Sequence, residues 1–100
     1  MKQARFIAEA RRELLVEVTY YGQARPGWGQ KFAAAVEEAT ALALEFPQAG
    51  SPAPANTRTV IVHGFPFSLV YRAELDGILI FALANHSRQP GYWRSRLRDR

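Results

Sequence analysis

Arg58-Thr59-Val60-Ile61-Val62-His63, Phe67-Ser68-Leu69-Val70-Tyr71-Arg72 and Ile78-Leu79-Ile80-Phe81-Ala82-Leu83-Ala84 follow one another, joined by turns at Gly64-Phe65-Pro66 and Glu74-Leu75-Asp76-Gly77. All three runs favour β-structure, and the first two alternate in polarity as half-buried strands do. Asp76-Gly77 is a hairpin signal, because tight turns between strands use residues that tolerate positive φ. Links this short cannot carry a crossover, so the neighbours are antiparallel and the order is a meander. The third run is apolar at odd and even positions alike, which places it in the middle of the sheet or under cover on both faces.

Upstream, the period changes from that of a strand to that of a helix. Leu14, Leu15, Val18 and Tyr21 share a stripe, with Glu9, Arg11, Arg12, Glu13 and Glu17 between them, which gives an amphipathic helix from Ala8 to about Gly22–Ala24. Arg25-Pro26-Gly27 stops it. Phe32, Val36, Ala39, Ala43 and Phe46 then recur at helical spacing through an alanine-rich second helix. The short link makes an antiparallel pair. Phe46 to Asn56 holds three of the six prolines and reads as a loop, and Gln3 to Ile7 reads as a short strand beside the meander. The expected fold is α+β: an N-terminal helical hairpin packed on a small, mainly antiparallel β-sheet, a three-strand meander plus the short N-terminal strand, in one domain spanning residues 1–100. Two helices cover one face of a sheet, so apolar surface left open on the other face would bind a partner.

With 48% apolar and 22% charged residues, the chain has the composition of a globular domain and not of a disordered one. The absence of cysteine excludes disulfide frameworks and thiolate zinc sites and fits a reducing compartment. Its two histidines stand far apart without a carboxylate pair, so neither a metal site nor a cofactor is expected. Ile78 to Ala84 is far short of the roughly 20 residues of a membrane span. Met1-Lys2-Gln3-Ala4-Arg5 leads into no apolar signal region, so a cytoplasmic location without membrane association is expected.

Charge is distributed unevenly. The formal net charge is +4, and Arg88, Arg94, Arg96, Arg98 and Arg100 against Asp99 account for all of it, because the acidic and basic side chains of residues 1–85 balance. The basic C-terminal segment, residues 86–100, also carries Tyr92-Trp93 and leaves directly from the third strand. Such a segment suits contact with phosphates, bases or an acidic protein surface. Arginine dominates the basic residues, which favours planar, bidentate contacts.

Read in order, several pieces share their spacing with a known group over about 90 residues. They are Phe6, Ala10 and Glu13-Leu14; Tyr20-Tyr21; Pro26-Gly27-Trp28-Gly29 before Phe32; Phe46-Pro47 and Gly50; Arg58; Phe65-Pro66-Phe67 and Val70-Tyr71; and His86-Ser87-Arg88-Gln89-Pro90-Gly91-Tyr92-Trp93. The chain resembles the RelE/ParE superfamily of small bacterial toxins from type II toxin–antitoxin modules. That resemblance implies growth arrest, plasmid stabilization, and silencing by a cognate antitoxin whose C-terminal segment wraps the toxin as helix and strand in a hetero-oligomer. Two branches differ in target. RelE-like members are ribosome-dependent endoribonucleases that cut mRNA, whereas ParE-like members bind and poison DNA gyrase and are not known as catalysts.

A nuclease needs groups that activate the 2′-hydroxyl, stabilise the phosphate and protonate the leaving oxygen. Here the first two meander strands offer Arg58, His63 and Arg72. No lysine follows Lys31, and Ser68 stands where the nucleases often carry arginine. The nuclease alternative therefore rests on His86 as base, Arg88 as phosphate clamp and Tyr92 as acid or stacking group. Phe65-Pro66-Phe67 and the His86–Trp93 ending look more like the ParE side, which is the favoured reading. Whether the chain is an enzyme turns on that choice.

For target binding the candidates are Arg58, Arg88, Tyr92, Trp93, Arg94 and Arg96. Each has a structural counter-reading. His86 suits a backbone-bonded strand end, Tyr92-Trp93 could close the core edge, and Arg58 could bridge to a helix carboxylate such as Glu45. Arg98 and Arg100 read as a frayed terminus. Tyr20, Tyr21, Phe32 and Phe46 read as core.

Overall fold

Extended residues at the N-terminus form β1 (Gln3–Phe6), and the helical stripes form α1 (Ala8–Ala24) and α2 (Trp28–Glu45). The remaining elements are β2 (Ser51–Ala53), β3 (Thr57–Val62), β4 (Phe67–Glu74), β5 (Gly77–Asn85) and one turn of 3₁₀ helix, Arg94–Leu97. The computed structural model describes residues 1–98, so the reading of Arg100 as part of a frayed end lies outside the described residues.

The sheet has five strands in the order β1-β5-β4-β3-β2. β1 runs parallel to β5 and every other pairing is antiparallel, so the meander and the N-terminal strand take the expected arrangement. β2 is an addition, lying within the segment read as loop. Proline hid it, because Pro52 removes a ladder donor. An edge strand tolerates that loss, and Pro52 sits opposite Arg58 on the outermost strand.

One face of the sheet packs against the helices through Val62, Phe67, Leu69, Tyr71, Ile78, Ile80 and Leu83, which meet Ala10, Phe32, Val36, Ala39 and Ala43 in one buried cluster. Tyr21, Phe32, Phe65 and Phe67 form an aromatic corner, with ring centroids 5.0 Å apart for Tyr21–Phe32 and Phe32–Phe65 and 5.2 Å for Phe32–Phe67. Tyr20 and Phe46, expected in the core, are 60% and 52% exposed. Adjacent helix residues do not face the same way, so Tyr21 takes the inward position and Tyr20 points out. Phe46 caps α2 with φ −127° and ψ 71°, so helical spacing no longer governs its direction.

A bulge explains why β5 is apolar on both parities. Its register against β4 runs Leu69↔Leu83 and Val70↔Ala82, then Tyr71↔Ile80, leaving Phe81 as an extra residue. The extra residue shifts the parity, so Ile78 and Ile80 below the bulge and Leu83 above it share the helix-facing side. Ala82 therefore looks to the opposite face.

Gly77 has φ 142° where β5 begins, and a Cβ there would run into the Gln3 carbonyl across the β1–β5 pairing. Gly77→Ala is expected to destabilise the fold by at least about 2 kcal/mol. Leu75→Ala, at a fully exposed turn position two residues away, should stay within about 0.5 kcal/mol; urea denaturation of the two variants reads both.

Candidate functional site

β5 needs partners along both edges. Up to Ile80 they come from β1, whose last contact is the Ile7 amide donating to the Ile80 carbonyl at 3.0 Å. Beyond the bulge, among the described residues, no strand lies on that side. Side chains take over. Glu13 of α1 receives the Leu83 amide at 3.1 Å, and Arg96 donates through Nη1 to the Phe81 carbonyl at 2.9 Å.

Glu13 and Arg96 also meet directly. The guanidinium forms a bidentate pair, Nη1 to Oε1 at 2.9 Å and Nη2 to Oε2 at 3.0 Å, with both side chains less than a fifth exposed. The Tyr92 hydroxyl donates to Glu13 Oε2 at 2.6 Å. Arg88 stacks on the Tyr92 ring, its guanidinium carbon 3.6 Å from the centroid and its Nη1 3.7 Å from Glu13 Oε2. One carboxylate thus ties α1 and β5 to both halves of the C-terminal segment.

The protonation states follow from this packing. Burial pushes the Glu13 carboxyl upward, but hydrogen bonds from Arg96, Tyr92 and the Leu83 amide outweigh it and hold the group below its ordinary value. Burial, reinforced by the hydrogen bond to Glu13, pushes the Tyr92 phenol well above its ordinary value. Tyr92 therefore stays protonated with its proton directed at Glu13. Glu17, one turn further along α1, is pushed up by burial and then by the Glu13 charge.

Trp93 is 5% exposed and packs with Val70 and Ala82, flanked by Ala84, Tyr92 and Leu97. The segment expected to reach outward thus covers part of the sheet face opposite the helices, and its indole offers a target almost no surface in this conformation. Arg96 is held by Glu13 and Phe81. Tyr92 closes the core edge with its polar tip turned inward and its ring under two guanidinium groups, the second being Arg96 at 5.1 Å. Arg88, with its side chain 54% exposed, and the exposed Arg94 remain on the surface.

Arg58 has a structural partner. It donates to the Gly50 carbonyl at 2.7 Å and not to Glu45, while the Tyr71 hydroxyl donates to the Pro47 carbonyl at 2.8 Å. These two bonds join Phe46-Pro47, Gly50, Arg58 and Tyr71, which the sequence shows only as separate pieces. Gly50 is required there because a Cβ would strike the Tyr71 hydroxyl. His86 lies 2.8 Å from Ser68 Oγ through Nε2, and its amide donates to the Pro66 carbonyl at 2.8 Å.

His86, Arg88, Tyr92 and Trp93 line one open cleft of about 350 Å³. Their functional atoms diverge within it, since His86 Nε2 meets Ser68 and the Tyr92 hydroxyl meets Glu13. Among the described residues, no three His, Asp or Glu side chains gather in a group suited to a metal ion, and no helix is long and apolar enough to cross a membrane.

The architecture, two helices on a mixed sheet with a C-terminal segment folded back on it, defines a small α+β domain. Residues 5–90 match the model of the ParE toxin of the type II toxin–antitoxin system parDE. The chain belongs to this family. It is also similar to a solved structure of the chromosomal ParDE toxin–antitoxin system from P. aeruginosa, with TM-score 0.74 and 20% identity over 85% of this chain and 96% of that one, a likeness of fold. Curated protein sequences give no match.

Because the Glu13 carboxyl is held below its ordinary value in the fold, its ionised form stabilises the protein. That contribution is fully present above the ordinary carboxylate range and disappears as pH falls through the lowered folded value. Glu13→Gln should destabilise by about 2 kcal/mol at neutral pH and lose the corresponding part of the acid dependence. Glu17→Gln should have the opposite sign, a gain of a few tenths of a kcal/mol at neutral pH. Denaturant midpoints across the acid range check both.

Proposed function

We propose that this ParE-family toxin arrests growth by binding DNA gyrase and trapping it on cleaved DNA, and that Arg88 and Arg94 supply the exposed cations of the C-terminal contact. The observation that carries this reading over mRNA cleavage is the commitment of Tyr92. Its proton lies in a 2.6 Å bond to Glu13, which leaves the nuclease alternative of His86, Arg88 and Tyr92 without its acid. Arg58 and Arg72 are likewise engaged, by Gly50 and by Glu74. Trp93 and Arg96 support the contact from beneath by fixing the path of the segment. Truncation after Asn85 would remove buried Trp93 along with the surface cations, so point variants are the informative test.

With purified gyrase and supercoiled DNA, the wild type should accumulate cleaved DNA and induce the SOS response in cells. Arg88→Ala should weaken the effect about tenfold, a change of about 1.4 kcal/mol in target affinity. Tyr92→Phe should retain it. Cleavage of mRNA on translating ribosomes without DNA damage, abolished by Tyr92→Phe, would establish the nuclease instead.

The cognate antitoxin is proposed to dock at the other end of the sheet. β2 pairs β3 only as far as Thr59, so among the described residues nothing pairs the outer edge of Val60–Val62, and Ile61 is 70% exposed. A cleft of about 520 Å³ beside this edge is lined by Leu42, Gly50, Thr59 and Ile61 together with Ser51, Ser68 and His86. A strand added here would find main-chain partners, the exposed Ile61 side chain and polar groups together. Ile61→Asp should weaken antitoxin binding more than about tenfold, about 1.4 kcal/mol, in a titration calorimetry experiment, and leave gyrase poisoning intact.

A further inference from the structure

The carboxylates of this chain occupy a few places. Residues 18–36, 58–73 and 77–98 contain no Asp or Glu. The first stretch is the tip of the helical hairpin, and the fold brings it against the β3–β4 turn. The Trp28 ring packs edge-on to Phe65 with centroids 6.0 Å apart, and Pro66 next to Phe65 accepts the His86 amide at 2.8 Å. Exposed Arg25, Lys31, His63 and His86 thus crowd one end of the molecule.

Arg25 and Lys31, the two cations among them, are held in place. The Arg25 guanidinium carbon lies 5.2 Å from the Trp28 ring centroid and the Lys31 ammonium 5.4 Å from it. Cation–π contact orders both side chains without neutralising either. Neither has a carboxylate partner among the described residues. An ordered, unneutralised pair of cations loses less side-chain entropy on meeting an anion.

We propose that this end of the molecule, with Arg25 and Lys31 mounted on Trp28, is a sequence-independent contact for the phosphate backbone of duplex DNA. Its anchoring cations belong to the helical hairpin and not to the Arg88–Arg94 segment, and it does not depend on the gyrase reading. The charge of the patch complements a polyanion: Arg25 and Lys31 sit on one ring, and residues 18–36 hold no Asp or Glu. Duplex DNA, with about one negative charge per 1.7 Å of its axis, is the densest such partner. Phosphate contacts need only exposed donors and are governed by counterion release.

The test uses the full-length protein, a fluorescently labelled duplex of mixed sequence, and anisotropy at several salt concentrations, without gyrase. Wild type should bind with micromolar or weaker affinity and little sequence preference, with log K falling linearly against log salt. The Arg25→Ala/Lys31→Ala double variant should reduce the magnitude of that slope by about 2, since each phosphate contact contributes about 0.9. Arg25→Lys should retain the slope, and both variants should stay folded, the double variant with a denaturant midpoint lowered only by the loss of its two exposed cation–π contacts. Absence of wild-type binding at low salt would overturn the proposal. So would an unchanged slope in the double variant, or equal binding of a poly-glutamate peptide with the same loss. Gyrase poisoning is read separately by trapped cleaved DNA, so either result can fail alone.

Discussion

The Glu13 carboxylate is the constraint on which the working end of this toxin depends. β1 leaves β5 at Ile80, the bulge at Phe81 redirects the strand, and the backbone groups beyond it face no further strand. A buried backbone donor or acceptor left without a partner would cost roughly 1–3 kcal/mol. Glu13 and Arg96 satisfy both kinds with side chains and, in pairing with each other, fasten the C-terminal segment to α1. Desolvating a lone carboxylate here would be strongly unfavourable. Donors from Arg96, Tyr92 and Leu83 make the ionised form the stable one.

That arrangement changes what the basic segment is. By charge it is an excess of cations at the chain end; in space it is a folded layer. Trp93 covers Val70 and Ala82, Arg96 closes the β5 edge, and Tyr92 carries Arg88 on its ring. Function is thereby narrowed to the side chains that this layer leaves on its surface. The same layer supplies much of the cover on the sheet face that the helices cannot reach, so structural and functional demands fall on neighbouring residues of one short stretch.

Much of the fold was legible because it is local. Helical spacing from Leu14 to Tyr21, the Arg25-Pro26-Gly27 break, strand patterning and the Asp76-Gly77 turn each declare themselves within a few residues. β2 was not, since Pro52 and Pro54 carry the composition of a loop and only the edge position makes Pro52 acceptable. The double-sided apolarity of β5 was readable, but its cause, a bulge combined with cover from Trp93, is a tertiary matter. Least legible was the partner of Arg96. Glu13 lies 83 residues away, and a charge count by segment treats the two as belonging to separate regions. The only sequence signal was the place of Glu13 beside Leu14 in the superfamily pattern, which marks a position without giving its task. Arg58 fits the same lesson: its partner is a backbone carbonyl, and a sequence does not display acceptors of that kind.

Native-state hydrogen exchange at the Leu83 amide tests the central claim most directly. If the Glu13 carboxylate closes the β5 edge, this amide should exchange in wild type as slowly as its strand neighbours in the core, and in the Glu13→Ala variant it should exchange far faster while the Ile80 amide stays protected. Exchange of the wild-type Leu83 amide at the rate of an exposed turn amide such as Leu75 would contradict it.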